Sequence, residues 1–499
     1  MSRRSPHRPP AAPVIPFLLT LLAASLHVPP AWAQGPEELR SRAFQVVEER
    51  SEELVRLSDA IWSYAELALR EHRSAAELAD YLEVNGFRVT QGVAGMPTAF
   101  VAEKGRGKPV IGILAEFDAL PGLSNTTDPR KEAVEQGAPG HGCGHNLFGA
   151  ASTGAAVTAA QVLEEEGLEG TIRLFGCPAE ETVVGKVYMA REGVFDGLDA
   201  CLDWHPSSRT RVDFSRTRAM NNFTVEFFGQ TAHGAGDPWN GRSSLDAVEL
   251  MNHAVNMLRE HVKPSTRIHY VISDGGGAPN VVPAYAKVWY YVRDLERDGV
   301  ESTYEWVLEA ARGAAIATRT EHEVFLTTGV HSYLLNRPLT ELVDRNLRAA
   351  GPPEWTEEEQ AFARRIQEEL GRPTAGLDEE IGEMPAEEKP AGGGSTDVAE
   401  VSRIVPTAKF RVASMPREAP GHSWAVVSCG GMSIGHKAVI TAARTLSAAA
   451  LELAVSPEVI EAAWEEFREK TEGEPYESPI PADQPPPLPP AGEDAGSGS

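Results

Sequence analysis

A thiol and two imidazoles crowd the stretch His141-Gly142-Cys143-Gly144-His145-Asn146, where glycines on either side of Cys143 let the backbone bend sharply. Cys143 and His145 stand two residues apart, a spacing with which a loop can grip a metal ion; the same stretch also fits a tight turn around one buried cysteine. Further donors decide between these readings. They occur at Glu180 and Glu181, at His205 and at His422. A thiolate, three imidazoles and a carboxylate suit zinc or manganese, and five donors exceed one tetrahedral site, which points to two divalent metal ions close together. Paired ions imply a bridging water that, as hydroxide, attacks a carbonyl polarised by one of them. Of the two adjacent glutamates, one can bind metal while the other, as general base and then acid, carries a proton from the water to the leaving nitrogen. A cysteine hydrolase built on Cys143 and His145 is the competing chemistry, but residues two apart rarely align as nucleophile and base.

The surrounding elements must deliver these groups to one place. Residues 149–163 are Ala-rich and read as a buried helix. The runs 109–115, 171–177 and 200–204 are nearly all apolar, as in strands buried on both faces of a parallel sheet. Polar groups follow each: Glu116-Phe117-Asp118, Pro178-Ala179-Glu180-Glu181 and His205. Open α/β sheets build their sites just past such strand ends. Upstream, 36–82 is helical in period, with Leu54, Leu57, Ile61, Ala65 and Leu69 on one face. From 219 to 334 the order becomes strand, helix, two strands, helix, strand, the β-α-β-β-α-β pattern of a ferredoxin-like unit. A small α+β domain thus interrupts a larger α/β one. The larger domain resumes at 335, with a helix expected at 355–370, an exposed or mobile loop at 371–394, a short strand at 408–412 and an Ala-rich helix at 437–453. The plan is 34–217 and 335–472 for the large domain, 218–334 for the insert, and 473–499 for an extended proline-rich tail.

With 72 acidic against 46 basic residues, a formal charge of -26 and no basic patch, the chain is not expected to bind nucleic acid. Its 499 residues leave room for two or three folding units. Arg3, Arg4 and Arg8 precede an apolar run at 13–26, and Ala31-Trp32-Ala33 supplies a small-x-small cleavage pattern. Residues 1–33 therefore read as an export signal and the mature chain as periplasmic or secreted. An uncleaved anchor is the alternative, weakened by Pro16 in a short apolar run. No later run reads as a membrane span, so no membrane contact is expected after cleavage. Cys143, Cys177, Cys201 and Cys429 are too few and too scattered for a disulfide scaffold.

Six motifs occur in order: His-Gly-Cys-Gly-His-Asn, Pro-Ala-Glu-Glu, Asp-Trp-His-Pro, Pro-Asn-Val-Val-Pro, Ser-Thr-Asp-Val and Gly-His-Ser-Trp. Together, over 38–481, they resemble the dinuclear metallopeptidase and amidohydrolase family that includes aminoacylase, carboxypeptidase G and the indole-acetyl-amino-acid hydrolases, and within it the p-aminobenzoyl-glutamate hydrolase branch. The resemblance implies a mixed-sheet α/β metallohydrolase domain interrupted by a ferredoxin-like lid that dimerises. It implies Cys143, His145, Glu181, His205 and His422 as ligands of two divalent ions, manganese or zinc, and Glu180 as general base and acid. His233 would reach the partner subunit's active site to stabilise the oxyanion, while Asn280 and Arg293, on lid strands, would hold the substrate's carboxylate. Where many relatives carry a metal histidine this chain has Glu116, so the cysteine branch is indicated and Asp118 is expected behind the ligands. The expected activity is hydrolysis of the amide of N-acyl or N-aroyl amino acids. A dipeptidase or aminoacylase of other specificity, or a non-catalytic binder of amino-acid conjugates, is the alternative. The expected partner is a second copy of the chain, or a paralogous second subunit.

Overall fold

A computed structural model describes residues 1–2 and 35–489, so the expected export signal, apart from its first two residues, lies outside the described residues, as does the tail beyond 489. Three helices open the described chain: α1 (Pro36–Glu49), α2 (Ser51–Tyr64) and α3 (His72–Val84). Proline in the first turn of α1, followed by Glu37 and Glu38, suits a helix start, where the peptide N–H groups are unpaired and the dipole is positive. The sheet domain follows with β1 (Arg88–Gln91), β2 (Phe100–Arg106), β3 (Val110–Glu116), α4 (His145–Glu165), β4 (Gly170–Cys177), α5 (Gly185–Arg191), β5 (Ala200–Ser207) and β6 (Arg211–Val212).

The inserted unit is β7 (Ala219–Phe228), α6 (Ser244–Leu258), β8 (Arg267–Asp274), β9 (Tyr285–Asp294), α7 (Arg297–Thr318) and β10 (Glu321–Val330). Its strands lie in the order β10-β7-β9-β8, every pair antiparallel, as the ferredoxin-like pattern requires. Phe223, Val225, Phe227, Val288 and Tyr290 face Val248, Met251 and Val307 of the two helices and form a core of their own.

The large domain then completes itself with α8 (Arg337–Ala350), α9 (Glu357–Glu369), α10 (Val398–Ser402), β11 (Thr407–Ala413), α11 (Trp424–Gly430), α12 (Ser433–Val455) and α13 (Pro457–Lys470). Its seven strands run β1-β2-β4-β3-β5-β11-β6. The four in the middle, β4, β3, β5 and β11, are parallel; β2 and β6 join antiparallel, so the sheet is mixed. Alternation along β4 shows why these strands read as continuous apolar runs: Ile172 and Leu174 pack with α1, α2, α4, α8 and α12, whereas Phe175 and Cys177 pack with α5 and α10.

Four expectations need correction. His205 lies within β5 rather than after it, because the strand continues to Ser207. Contrary to the expectation that no run after the N-terminus could span a membrane, α12 is long and apolar enough to cross one, but 78% of its most apolar window is buried against α4, α1 and α8. The 371–394 loop is anchored: Gly382 N–H donates to Thr210 O (2.8 Å) and Lys389 N–H to Phe214 O (3.0 Å), which ties it along β6. The tail is not loose up to 489. Ile480 is buried, and Gln484 bonds both the Tyr188 hydroxyl (2.7 Å) on α5 and Leu326 O (2.6 Å) on β10.

Candidate metal centre

Gly144 has φ +82°, and a Cβ there would sit 3.0 Å from the Pro206 ring, so only glycine fits between Cys143 and the start of α4. His145, wholly buried, is the first residue of α4, and its Nδ1–H donates to Asp118 Oδ1 at 2.8 Å. That bond leaves Nε2 facing the strand ends as a free acceptor.

The second turn, 178–185, is strained. Ala179 and Val183 have φ of +57° and +59°, and Gly185 comes so near Pro178 O that a Cβ would lie 1.9 Å from it. Two buried carboxylates hold this turn from behind: Ala179 N–H donates to Glu71 Oε1 and Glu181 N–H to Asp118 Oδ2, both at 2.9 Å. Asp118 thus orients His145 and the Glu181 peptide together.

His205 completes the strand-borne set. Its Nδ1 is 2.6 Å from Pro206 O and its Nε2 is 3.3 Å from Cys143 Sγ. Burial, with Arg411 and His145 nearby, holds the imidazole well below its usual pKa, in the neutral form that binds metal. His422 comes from the loop before α11. Its backbone, at φ +53°, donates to Gly142 O (2.9 Å), and its Nε2 lies 3.4 Å from Glu181 Oε2.

The donors form three overlapping groups, each with its ligand atoms within 4.8 Å of one another: Cys143, His145 and His205; Cys143, Glu181 and His422; and Glu116, His145 and Glu180. Without a cation the site is electrostatically uncomfortable. Burial pushes the Cys143 thiol up to about 12 and the Glu181 carboxyl up to about 7, and burial with Glu116 and Asp397 raises Glu180 well above the carboxylate range. Glu116 Oε2, His145 Nε2 and Glu181 Oε1 are all buried without a hydrogen-bond partner. Orphaned donors of this kind, sharing one thiol, fit divalent cations.

Not every expected residue joins the cluster. His233 and Asn280 meet one another on exposed loops of the insert, where Gly234 N–H donates to Asn280 O (2.8 Å). Asn280 sits in the turn before β9, not on a strand, whereas Arg293 lies near the other end of β9 and donates to Gly393 O (3.0 Å). The length of β9 between Tyr285 and Arg293, ~26 Å, separates them, so within one chain they cannot grip the same carboxylate. Three buried residues went unassigned from sequence: Glu71, Lys186, and Glu116 in any role beyond marking the branch. Lys186 Nζ bonds Glu116 Oε1 (2.7 Å) and Asp397 Oδ1 (2.8 Å) with no exposure at all. A lysine beside the Pro-Ala-Glu-Glu motif carries no periodic signal; only its two acidic partners, distant in sequence, make it internal.

Thiol, imidazoles and carboxylates converging at the carboxyl ends of parallel strands, with an α+β unit inserted beside them, define a metal-dependent hydrolase. The peptidase dimerisation domain matches residues 216–316. Over 452 residues the chain is 39% identical to a p-aminobenzoyl-glutamate hydrolase subunit of Escherichia coli, covering 85% of this chain and 94% of that one. It is 29% identical over 455 residues to the Xaa-Arg dipeptidase of Mus musculus, covering 88% and 94%. Among solved structures, an aminobenzoyl-glutamate utilization protein from Klebsiella pneumoniae superposes with a TM-score of 0.56 at 17% identity, covering 81% of this chain and 97% of its own. A dinuclear metal-binding peptidase of the M20 family from Bacillus subtilis gives 0.52 at 18% identity, covering 81% and 98%. The chain belongs to the M20 peptidase family and is a metal-dependent hydrolase of amide bonds.

Proposed function

We propose that this protein is an exported amidohydrolase, periplasmic or secreted, that releases an amino acid from an N-acyl or N-aroyl conjugate of the p-aminobenzoyl-glutamate kind, using two divalent ions, manganese or zinc. The observation that carries the reading is the pair of donor groups sharing Cys143, with Glu180 beside them. Cys143, His145 and His205 would hold one ion, and Cys143, Glu181 and His422 the other. Such ions acidify a water and polarise the scissile carbonyl. Glu180, raised in pKa, takes a proton at its carboxylate and returns it to the leaving nitrogen.

Arg293 supports a substrate with a free carboxylate. Its Nε is buried without a hydrogen-bond partner, Arg218 lies beside it, and the two guanidinium groups donate to the backbone oxygens of Gly393, Gly392 and Ser265. His233 and Asn280 then come from a partner subunit, because their own chain holds them a strand's length away. The insert has a surface for such a partner: β8 is an edge strand with Val271 and Ile272 exposed, and Leu250 and Met257 are exposed on α6. A homodimer is the simplest assembly, a paralogous second subunit the alternative. The export assignment rests on the charged, apolar and small-x-small segments of 1–33.

The test is product analysis on N-aroyl-glutamates, N-acyl amino acids and dipeptides with wild-type and Glu180→Gln protein. Wild-type protein should liberate the free amino acid, and the variant should lose about 10²–10⁴-fold in kcat with its metal content unchanged. Full turnover by the metal-loaded variant would refute the assigned mechanism.

A further inference from the structure

His205 begins a row of side chains that the sheet continues away from the metal centre. On β11, Arg411 stands in register with His205, and on β6 Arg211 stands in register with Arg411. Residues in register on neighbouring strands point to the same face, with the strands about 4.8 Å apart. The next residue along each strand, Trp204, Phe410 or Val212, fills the core on the opposite face. His205, Arg411 and Arg211 therefore share the face that carries the metal centre.

Two arginines directly opposite one another need a reason, because like charges so placed destabilise a sheet. Asp213 meets part of the demand: its Oδ2 accepts from Arg411 Nε at 2.8 Å and lies 3.6 Å from Lys409 Nζ. Lys409 is in turn in register with Asp203, so three cations here face two carboxylates. Arg211 is the one left over. Its Nε is buried without a hydrogen-bond partner, and among the described residues no acidic side chain pairs with it. The nearby Asp378 is engaged elsewhere, accepting from Thr210 N–H (3.3 Å) and lying 3.8 Å from both Arg209 and Arg417. In a chain with 72 acidic and 46 basic residues, an arginine without an acidic partner, two strands from a metal ligand, fits a ligand that brings the charge itself.

We infer that Arg411 and Arg211 form a second anion subsite, on the large domain, which takes the side-chain carboxylate of the substrate's amino acid. The preferred substrates are then N-acyl conjugates of glutamate or aspartate rather than of neutral amino acids. This rests on the amidohydrolase reading above and deepens it: Arg293 serves one carboxylate and this pair the other. Asp213 is a positioning residue, holding Arg411 at Nε while the side chain stays 34% exposed, so that the outer edge of the planar guanidinium is left for a carboxylate. The rival account, in which Arg411 only neutralises Asp213, leaves Arg211 unexplained.

N-benzoyl-glutamate and N-benzoyl-glutamine match in shape and differ in side-chain charge, and kinetics with both test this on the metal-loaded, mature full-length chain. Wild-type protein should favour the glutamate conjugate by about 10–100-fold in kcat/KM, mostly through KM. Arg411→Gln and Arg211→Gln should each remove most of that preference. A purely structural lesion lowers both rates and leaves their ratio alone. An unchanged ratio in either folded variant, or a wild type that prefers neither conjugate, therefore overturns the inference. Arg211→Gln strips no acidic partner from the fold, so it decides if Arg411→Gln does not fold. Calorimetric Kd values on Glu180→Gln protein separate the subsite from the reading beneath it. Should wild-type protein cleave no conjugate, the amidohydrolase reading fails. A preference for glutamate in Kd that Arg211→Gln abolishes would still uphold the subsite, and equal Kd values for the two conjugates would refute it.

Discussion

Glu71 is the residue furthest from any motif that still bears on Glu180. It precedes α3, is fully buried, and accepts one hydrogen bond from Ala179 N–H and another from the Thr98 hydroxyl (3.0 Å). Ala179 is held at a positive φ that alanine disfavours, so the bond to Glu71 helps to fix the peptide from which Glu180 projects. Burial and the nearby Asp118 push the Glu71 carboxyl up to about 8, so at neutral pH its neutral form dominates. Glutamine is a close mimic of that form. Glu71→Gln should keep near wild-type turnover, whereas Glu71→Ala should lower kcat by about 10–100-fold with KM and metal content little changed, as expected when a catalytic group is misplaced by a fraction of an ångström. Steady-state kinetics with parallel metal analysis would check this, and an unchanged kcat in Glu71→Ala would remove Glu71 from the account. Cys143, His145, Glu180, Glu181, His205 and His422 were legible in the sequence because each sits at a glycine-flanked turn or a strand end. Glu71 and Lys186 were not, because each becomes internal only through partners that lie 27 to 211 residues away in sequence and share no motif with it.

At the scale of elements, the junction between the two sheets depends on one helix and the tail. Glu400 on α10 accepts from the His331 N–H (2.6 Å) just after β10, contacts the His331 ring (3.0 Å), and accepts from the Tyr476 hydroxyl (2.6 Å). Burial alone would push the Glu400 carboxyl up, but the His331 ring and N–H and the Tyr476 hydroxyl outweigh it and hold its pKa below the usual value. A carboxyl depressed in the folded state adds stability above its unfolded pKa, and that stability is lost as pH falls through the folded value. Glu400→Gln should therefore cost about 1–3 kcal/mol at neutral pH. The gap in melting temperature between wild type and variant should narrow as the pH drops below the ordinary glutamate range. A pH-independent gap would show that the carboxylate's charge is not what matters. Hydrophobic period and strand order made the ferredoxin-like insert legible from sequence, down to the succession of its six elements. The docking of 371–394 and of the tail was hidden, since backbone bonds to β6 and single contacts such as Gln484 leave no period to read.

The whole molecule raises a different question, because the residues expected to act on one substrate are held apart. Arg293 lies at the seam with the Gly393 loop, while His233 and Asn280 occupy the far end of the insert, where Ala235 and Gly236 N–H groups donate to His233 Nδ1 (3.2 and 3.0 Å) and leave its Nε2 pointing away. A two-fold axis through the insert resolves this, since each chain would lend its distant loops to the other's metal centre. Complementation tests it directly. On the proposed roles, Glu180→Gln would lack the proton carrier and His233→Ala the oxyanion donor, and loss of the latter should cost about 10²–10³-fold in kcat. Each should be nearly inactive alone. When the two are unfolded, mixed in equal amounts and refolded, half of the dimers should be mixed, and each of those has one site with Glu180 from one chain and His233 from the other. Activity should then return to roughly a quarter of wild type. If His233 instead served its own chain, no mixed dimer would contain an intact site, and the mixture would stay as inactive as its parts.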